Sequence, residues 1–270
     1  MLEDLVDKLT ASAFVLSFYL LFHLSVILKM SHFAQIVEAA ALPDSAYHPW
    51  AHSHWVWLHN GQNNQQNTTD LVKGYLDNDI PVGGVNIDST WATQFNNFEV
   101  DTNKFPDFAG LISGLRDQNI RTILWATSMV NVENPDYDMC VEKNFLVRNH
   151  LGKVRPLHWW HGDGGLLDYS NPEAVSWWHS KMDLVLDAGV EGFKCDGTDP
   201  YIIEYQLLGG AMGYNGQNLT YRQYADMYYD DFFNYSREKR GNTGLIMSRP
   251  VDCADNADVG CMVMSPADVM

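Results

Sequence analysis

From residue 48 onward, two hydrophobic periods alternate along the chain. Short apolar runs typical of buried strands are followed by segments with apolar residues at helical spacing, and this order recurs about five times. The predicted strands are 54–57, 82–87, 120–127, 190–195 and 244–248. The predicted helices are 70–78, 107–118, 172–188 and 221–239. Alternating strands and helices predict an α/β fold with a parallel sheet and helices outside it.

Two features favour a (β/α)8 TIM barrel over a doubly wound sheet. No glycine-rich phosphate loop follows the first predicted strand. Polar or aromatic residues end one strand after another, as on the shared active-site face of a barrel; they are Asp88, Trp125, Asp196 and Arg249. The chain is predicted to hold about the first five βα units of such a barrel. Residues 128–170 are predicted to form a long irregular insertion with a functional role.

The first 47 residues differ in kind from the predicted barrel region, 48–270. Residues 11–28 are mostly apolar and lie near the lower length limit for crossing a membrane. A signal anchor or an uncleaved signal sequence fits this segment as well as an ordinary packed helix or a mispredicted start codon does. Its acidic flank is unlike that of a cleaved signal peptide. Three N-x-[ST] sequons favour the secretory pathway, with the protein membrane-anchored or extracellular; they begin at Asn67, Asn218 and Asn234.

Composition narrows the classes of partner. The formal charge of −17 leaves no basic surface for nucleic acid. Nine Trp and thirteen Tyr provide aromatic faces that can stack on sugar rings, although aromatic residues also fill ordinary cores. No metal or cofactor is expected, and the oligomeric state stays open. Four histidines are expected to be satisfied polar or loop residues rather than metal ligands: His52, His54, His158 and His161.

The segment 192–197 carries the strongest candidate chemistry. Its strand ends in Lys194 and Asp196, which alternate and therefore point to the same face. A nearby ammonium group keeps a carboxylate ionised, as a nucleophile requires. Taken alone, however, this segment is better explained as a structural lysine–aspartate pair at the end of a strand.

A set of motifs in the same order resembles glycoside hydrolase family 31, whose members are retaining α-glycosidases built on a (β/α)8 barrel. The matching segments are 86–91, 105–107, 124–125, 167–178, 192–197 and 247–249. The resemblance implies that Asp196 is the nucleophile that attacks the anomeric carbon. The sugar-binding residues that it implies are Asp88, Trp125, Trp160, Lys194 and Arg249. The implied substrates are α-glucosides or similar α-linked sugars.

The chain departs from the family at the second carboxyl group. A retaining glycosidase needs an acid/base about 5–5.5 Å from the nucleophile. In the family this acid follows the sixth strand, which we expect to begin after Met270. Asp268 would then precede that strand and is not assigned. On this expectation the 270-residue chain is inactive, while the full-length protein is a hydrolase.

Two alternatives stay open beside the retaining α-glucosidase. One is a membrane-anchored homologue that binds sugar or regulates without catalysis. The other is a related α-galactosidase, since such enzymes also have a lysine two residues before the nucleophile.

Overall fold

The computed structural model describes residues 48–58, 60–196, 203, 206–207, 210–248 and 262–263. The chain divides into two units, Met1–Ser45 and Ala46–Met270, and all described residues belong to the second. The apolar segment 11–28 and Arg249 lie outside the described residues, and the predicted division at residue 47 stays a prediction. Within the described part, no helix has the length and apolar character needed to cross a membrane.

Strands and helices alternate as the sequence predicts. The strands are β1 (Trp55–Leu58), β2 (Gly84–Ile87), β3 (Arg121–Thr127), β4 (Met129–Asn131), β5 (Arg148–Asn149), β6 (Leu157–Trp159), β7 (Gly162–Leu166), β8 (Gly192–Asp196), β9 (Ala211–Met212), β10 (Asn218–Leu219), β11 (Leu245–Ser248) and β12 (Met262–Val263). The helices are α1 (Gln65–Leu76), α2 (Phe108–Asp117), α3 (Tyr137–Glu142), α4 (Pro172–Leu186) and α5 (Tyr221–Arg240).

The central sheet has six parallel strands in the order β1-β2-β3-β8-β11-β12. The long helices α1, α2, α4 and α5 lie between successive strands of this sheet along the chain, as in repeated βα units. The predicted partial barrel is therefore confirmed as a parallel α/β fold. The expectation that the sixth strand begins after Met270 is wrong, because β12 pairs with β11 through Met247–Met262 and Ser248–Val263.

Local capping explains where the helices begin. Asn171 caps α4 through Glu173 N, and Pro172 occupies its first turn. Helix α5 begins with a capping box between Thr220 and Gln223. Helix α1 begins earlier than the predicted start at Asp70, because the side chain of Asn64 accepts a hydrogen bond from the backbone N–H of Asn67. Part of the predicted loop is therefore helical.

The segment 128–170 is more regular than predicted. It contains the antiparallel sheet β4-β7-β6, helix α3 and strand β5. Strand β5 pairs with β9, so this insertion contacts the chain that follows β8. The prediction of an irregular loop was wrong because these strands are only two to five residues long.

Register in the central sheet fixes which side chains share a face. In the β3–β8 pair, Trp125 lies opposite Lys194 and Thr127 lies opposite Asp196. Because residues alternate along a strand, these four side chains point to one face and their neighbours point to the other. The other face packs against the helices in the main hydrophobic core, which includes Val85, Leu124, Phe193 and Ile246.

The face of the central sheet that carries Trp125, Lys194 and Asp196 is the inner face. A second, smaller hydrophobic core covers its amino end. Ile123 and Leu245 pack there with Trp50. The Trp50 ring stacks on Trp55 at 4.6 Å, and its indole nitrogen donates to the backbone oxygen of Thr243 at 3.0 Å. Apolar side chains therefore close this end, and the polar side chains of the inner face are concentrated at the carboxyl end.

Candidate active site

Three charged side chains meet at the carboxyl ends of β2 and β8. Asp88 directly follows β2, while Lys194 and Asp196 belong to β8. All three are buried. The Lys194 ammonium donates to Asp88 Oδ2 at 2.8 Å. The sequence associates Lys194 with Asp196, and the structure shows an ion pair between Lys194 and Asp88 on the same face of the sheet.

Asp196 is held by an aromatic donor. The indole nitrogen of Trp125 donates to Asp196 Oδ2 at 2.9 Å. Trp125 itself is fixed through its backbone oxygen, which accepts from the Trp91 indole at 2.8 Å. The Tyr228 hydroxyl lies 3.2 Å from the backbone oxygen of Asp196 and 3.3 Å from that of Ala126. These contacts fix both the carboxylate and the strand end that carries it.

Trp57 is a site residue that the sequence analysis missed. It lies near the end of β1, and its indole nitrogen donates to Asp88 Oδ2. Its ring also faces the Lys194 ammonium, 5.2 Å from the ring centre. The side chain is 51% exposed, so one part of the ring is available to a ligand. The strand-end rule that found Asp88 could have found Trp57.

Aromatic side chains of the β6–β7 hairpin form a wall beside Asp196. Trp159 stacks parallel to Trp125 at 6.2 Å, and Trp160 contacts Trp159 edge-on at 5.1 Å. Trp160 is 43% exposed, which places it at the rim of the site rather than in its base. Phe95 packs edge-on against both Trp125 and Trp159, and the sequence analysis did not identify it.

His161 completes this wall. Its imidazole stacks on Phe95 at 4.1 Å and meets Trp125 edge-on at 6.3 Å. Burial lowers the pKa of the imidazole below its usual value, although the carboxylates of Asp196 and Asp88 act in the opposite direction. The sequence analysis expected an ordinary loop histidine, and nothing in the sequence placed it beside these acids.

The remaining predicted residue, Arg249, lies outside the described residues, since the described part of β11 ends at Ser248, opposite Cys195. The structure therefore brings together five of the predicted site residues: Asp88, Trp125, Trp160, Lys194 and Asp196. Among the residues described, no cluster of three or more His, Cys, Asp or Glu side chains is placed to hold a metal ion.

Comparison with known families agrees with this geometry. The family described as "Glycosyl hydrolases family 31 TIM-barrel domain" matches residues 45–251. This chain belongs to glycoside hydrolase family 31. The matched range contains β1, β2, β3, β8 and β11, together with the carboxyl ends where the charged residues meet.

Relatives within family 31 include several named glycosidases. "Alpha-xylosidase XylQ" of Lactiplantibacillus pentosus is 25% identical over 170 residues, which are 62% of this chain and 22% of that protein. "Myogenesis-regulating glycosidase" of Mus musculus is 27% identical over 165 residues, which are 60% of this chain and 22% of that protein. The chain thus spans about a fifth of the length of these relatives.

A solved family 31 structure confirms the fold. The "GH31 alpha-xylosidase from a soil metagenome complexed with xylose" superposes with a TM-score of 0.70 at 19% identity, over 83% of this chain and 33% of that one. A "GH31 dextranase" of Flavobacterium johnsoniae, complexed with glucose, gives a TM-score of 0.67 at 20% identity over 75% of this chain and 26% of that one. At these identities the likeness establishes the barrel fold.

Proposed function

We propose that this family 31 barrel acts as a retaining α-glycosidase on α-linked sugars such as α-glucosides and α-xylosides. The observation that carries the proposal is the position of Asp196. It lies at the carboxyl end of a central strand and is bound by Trp125, beside the Lys194–Asp88 pair. Active sites of βα barrels occupy this end of the sheet.

Each described side chain has a task in the proposed reaction. An Asp196 oxygen attacks the anomeric carbon while the bond from that carbon to the leaving oxygen breaks, giving a covalent glycosyl-enzyme. The Trp125 N–H keeps the carboxylate aimed, because it binds Oδ2. Asp88 accepts hydrogen bonds from sugar hydroxyls, with its own position fixed by Lys194 and Trp57.

Charged and aromatic side chains border the proposed sugar site. Among the described residues, the centre of the site holds two carboxylates, Asp88 and Asp196, against the single ammonium of Lys194. The exposed faces of Trp57 and Trp160 suit the apolar faces of sugar rings.

Asp268 is our candidate for the acid/base. One of the two reasons for leaving it unassigned was its expected place before the sixth strand, but β12 ends at Val263, so Asp268 follows that strand along the chain. The glycine- and tryptophan-containing motif of the family is absent around it. In the proposed reaction Asp268 protonates the leaving oxygen and then takes a proton from the attacking water.

The function is tested with purified protein and 4-nitrophenyl α-glycosides of xylose, glucose and galactose. We expect hydrolysis of at least one substrate, with NMR showing the α-anomer of the free sugar as the first product. Preference for the galactoside would favour the α-galactosidase alternative. Absence of turnover, together with retained binding of free sugars, would favour the non-catalytic homologue.

The acid/base assignment has its own test in Asp268→Asn. This variant should be slow on poorly activated glycosides, and azide should restore turnover of activated ones by replacing the water that needs the base. The product should then be an α-glycosyl azide. Full activity of Asp268→Asn without azide would rule out the assignment.

A secretory location belongs to the same proposal, whether by membrane anchoring through residues 11–28 or by release. The asparagines of all three sequons are exposed, but Asn67 lies in α1 and Asn234 lies in α5. Only Asn218 lies in a short surface hairpin, β9–β10, which is the setting that glycosylation favours. Protein from a secreting eukaryotic cell should lose mass on enzymatic deglycosylation, and Asn218→Gln should remove that loss.

A further inference from the structure

We propose that His161 is a specificity-determining residue of this site, and that its neutral imidazole hydrogen-bonds a hydroxyl group of the sugar held by Asp88 and Asp196. The inference rests on the proposed glycosidase function and extends it to a residue that the family resemblance did not assign. Three independent observations support it: the position of the ring, the way it is anchored, and its unused hydrogen-bonding capacity.

The ring of His161 lies on the side of the aromatic wall that faces the proposed sugar site. Its ring lies 6.3 Å from Trp125, whose N–H binds the carboxylate of Asp196. Both Asp196 and Asp88 are close enough for their charges to act on the imidazole. The ring therefore borders the same space as the two acids.

A single side chain anchors this part of the wall. The amide nitrogen of Asn131 donates to the backbone oxygen of His161 at 2.9 Å, and its amide oxygen accepts from the Trp159 indole at 2.9 Å. Asn131 is buried in β4. With its ring also stacked on Phe95 at 4.1 Å, the imidazole has a fixed plane and little freedom to turn away. Such preorganisation is what a specificity contact requires.

The imidazole also has hydrogen-bonding groups to offer. Two other histidines of the described structure bind a carboxylate: His158 lies 2.9 Å from Asp163, and His179 lies 2.9 Å from Asp231. Neither ring nitrogen of His161 has a hydrogen-bond partner among the described residues. A neutral imidazole presents one donor and one acceptor, which matches a sugar hydroxyl, itself both donor and acceptor.

The charge state follows from the surroundings. Burial lowers the pKa of His161, while Asp196 and Asp88 favour the charged form. The other charged groups on neighbouring elements are Lys194 on β8 and the exposed Asp163 on β7. Below its pKa the ring gains a proton and loses its acceptor. Sugar binding through the acceptor should therefore weaken as pH falls through this lowered pKa, which lies below the ordinary histidine value of 6.5.

The experiment compares three variants of the purified protein. His161→Phe keeps an aromatic ring for stacking but removes both hydrogen-bonding groups. His161→Gln keeps a donor and an acceptor but cannot titrate. His158→Gln is the matched control, because it changes an exposed histidine of the same hairpin that faces Asp163. The readouts are KM and kcat on 4-nitrophenyl α-xyloside and α-glucoside, and NMR titration of each variant with free D-xylose and D-glucose.

The expected result is a binding defect. His161→Phe should raise KM and weaken free-sugar binding by about tenfold, the usual effect of one lost hydrogen bond in a buried site, while kcat changes less. His161→Gln should stay within about threefold of wild type, and its KM should no longer rise at low pH. His158→Gln should match wild type within about twofold.

Failures of the two proposals can be told apart. If wild type hydrolyses glycosides and His161→Phe binds and turns over sugars equally well, the inference is wrong and the function stands. If wild type neither hydrolyses nor binds any sugar tested, both are wrong. Should His161→Phe fail to fold, the comparison between wild type and His161→Gln decides: identical pH profiles of KM for these two proteins would overturn the inference.

Discussion

The two ends of the central sheet both hold buried charged side chains, but these side chains have different surroundings. At the amino end, Glu191 precedes β8 and is 1% exposed. It lies 2.8 Å from Arg121, 3.5 Å from Arg116 and 3.4 Å from Arg240, and it accepts from the Thr243 hydroxyl at 2.6 Å. At the carboxyl end, the buried charged side chains described on the inner face include Asp88, Asp196 and Lys194.

This difference distinguishes a charge cluster that stabilises the fold from one with a proposed role in binding or reaction. Both oxygens of Glu191 are bound by groups that can only stabilise its charge, so the cluster joins β3, β8 and β11 at their starts. Asp196 instead shares its end of the sheet with a second acid and with partly exposed aromatic rings. A second buried acid and a ligand-accessible aromatic surface favour a reacting or binding role for Asp196 and Asp88.

The largest expected effect is the loss of activity at the carboxyl end. Asp196→Asn should lower kcat by at least about 1,000-fold, because the amide cannot form the glycosyl-enzyme. Its thermal unfolding midpoint should stay within a few degrees of wild type, since the amide still accepts from Trp125. Steady-state kinetics and a melting curve on the same sample measure both quantities.

The matching change at the amino end should affect stability instead. Glu191→Gln removes the charge that three arginines share, and we expect it to lower the free energy of unfolding by about 2–3 kcal/mol. Activity per folded molecule should remain near that of wild type. A variant that keeps its stability but loses kcat would contradict the distinction between the two ends.

The pH dependence of stability also tests the structural role of Glu191. Burial acts to raise the pKa of Glu191, but hydrogen bonds from Thr243 and Arg121 and the charge of Arg240 lower it below the ordinary 4.5. A lowered pKa gives stability that is present above 4.5 and lost as pH falls through the folded-state pKa. Chemical denaturation from pH 7 down to pH 3 should show this loss in wild type and a smaller loss in Glu191→Gln.

An intermediate effect is expected for Trp125, whose indole N–H donates to Asp196. Trp125→Phe keeps an aromatic ring but removes the N–H that binds Asp196 Oδ2. A hydrogen bond to a charged group contributes about 1.5–3 kcal/mol, so kcat should fall by about 10- to 100-fold. Trp159→Phe is the control, because its indole binds Asn131 rather than an acid. Equal losses in both variants would mean that the wall acts only through packing.

The smallest effect is expected at the edge of the amino-end cluster. Arg116 is 36% exposed and its closest approach to Glu191 is 3.5 Å, so solvent screens the pair. Arg116→Met should change the free energy of unfolding by less than about 1 kcal/mol. A larger loss would show that the arginines of this cluster act as a unit, which a double variant with Arg121→Met would measure.

The parallel fold was predictable because its signals are local. Helices α4 and α5 are marked by the cap residues Asn171 and Thr220 and by continuous apolar spacing. The start of α1 was mispredicted because Asn64 and Asp70 are both suitable caps, and only the structure shows which one is used. Strand β12 is too short for any periodicity, and its pairing depends on β11.

The candidate site was also predictable only in part. Asp88, Trp125, Lys194 and Asp196 were found because residues at the ends of parallel strands meet on one face. That Lys194 would bind Asp88 depends on the distance between β2 and β8, which the sequence does not contain. His161 was out of reach of sequence reasoning, because its place depends on contacts between two loops and β3.

The most direct test of the active-site assignment is covalent labelling with 5-fluoro-α-D-glucosyl fluoride and its xylosyl counterpart. Fluoride leaves without help from an acid, so the label reports on the nucleophile alone. We predict that peptide mapping by mass spectrometry finds the sugar on Asp196, and that Asp196→Ala takes up no label. A label on another residue, or turnover by Asp196→Ala, would contradict the account.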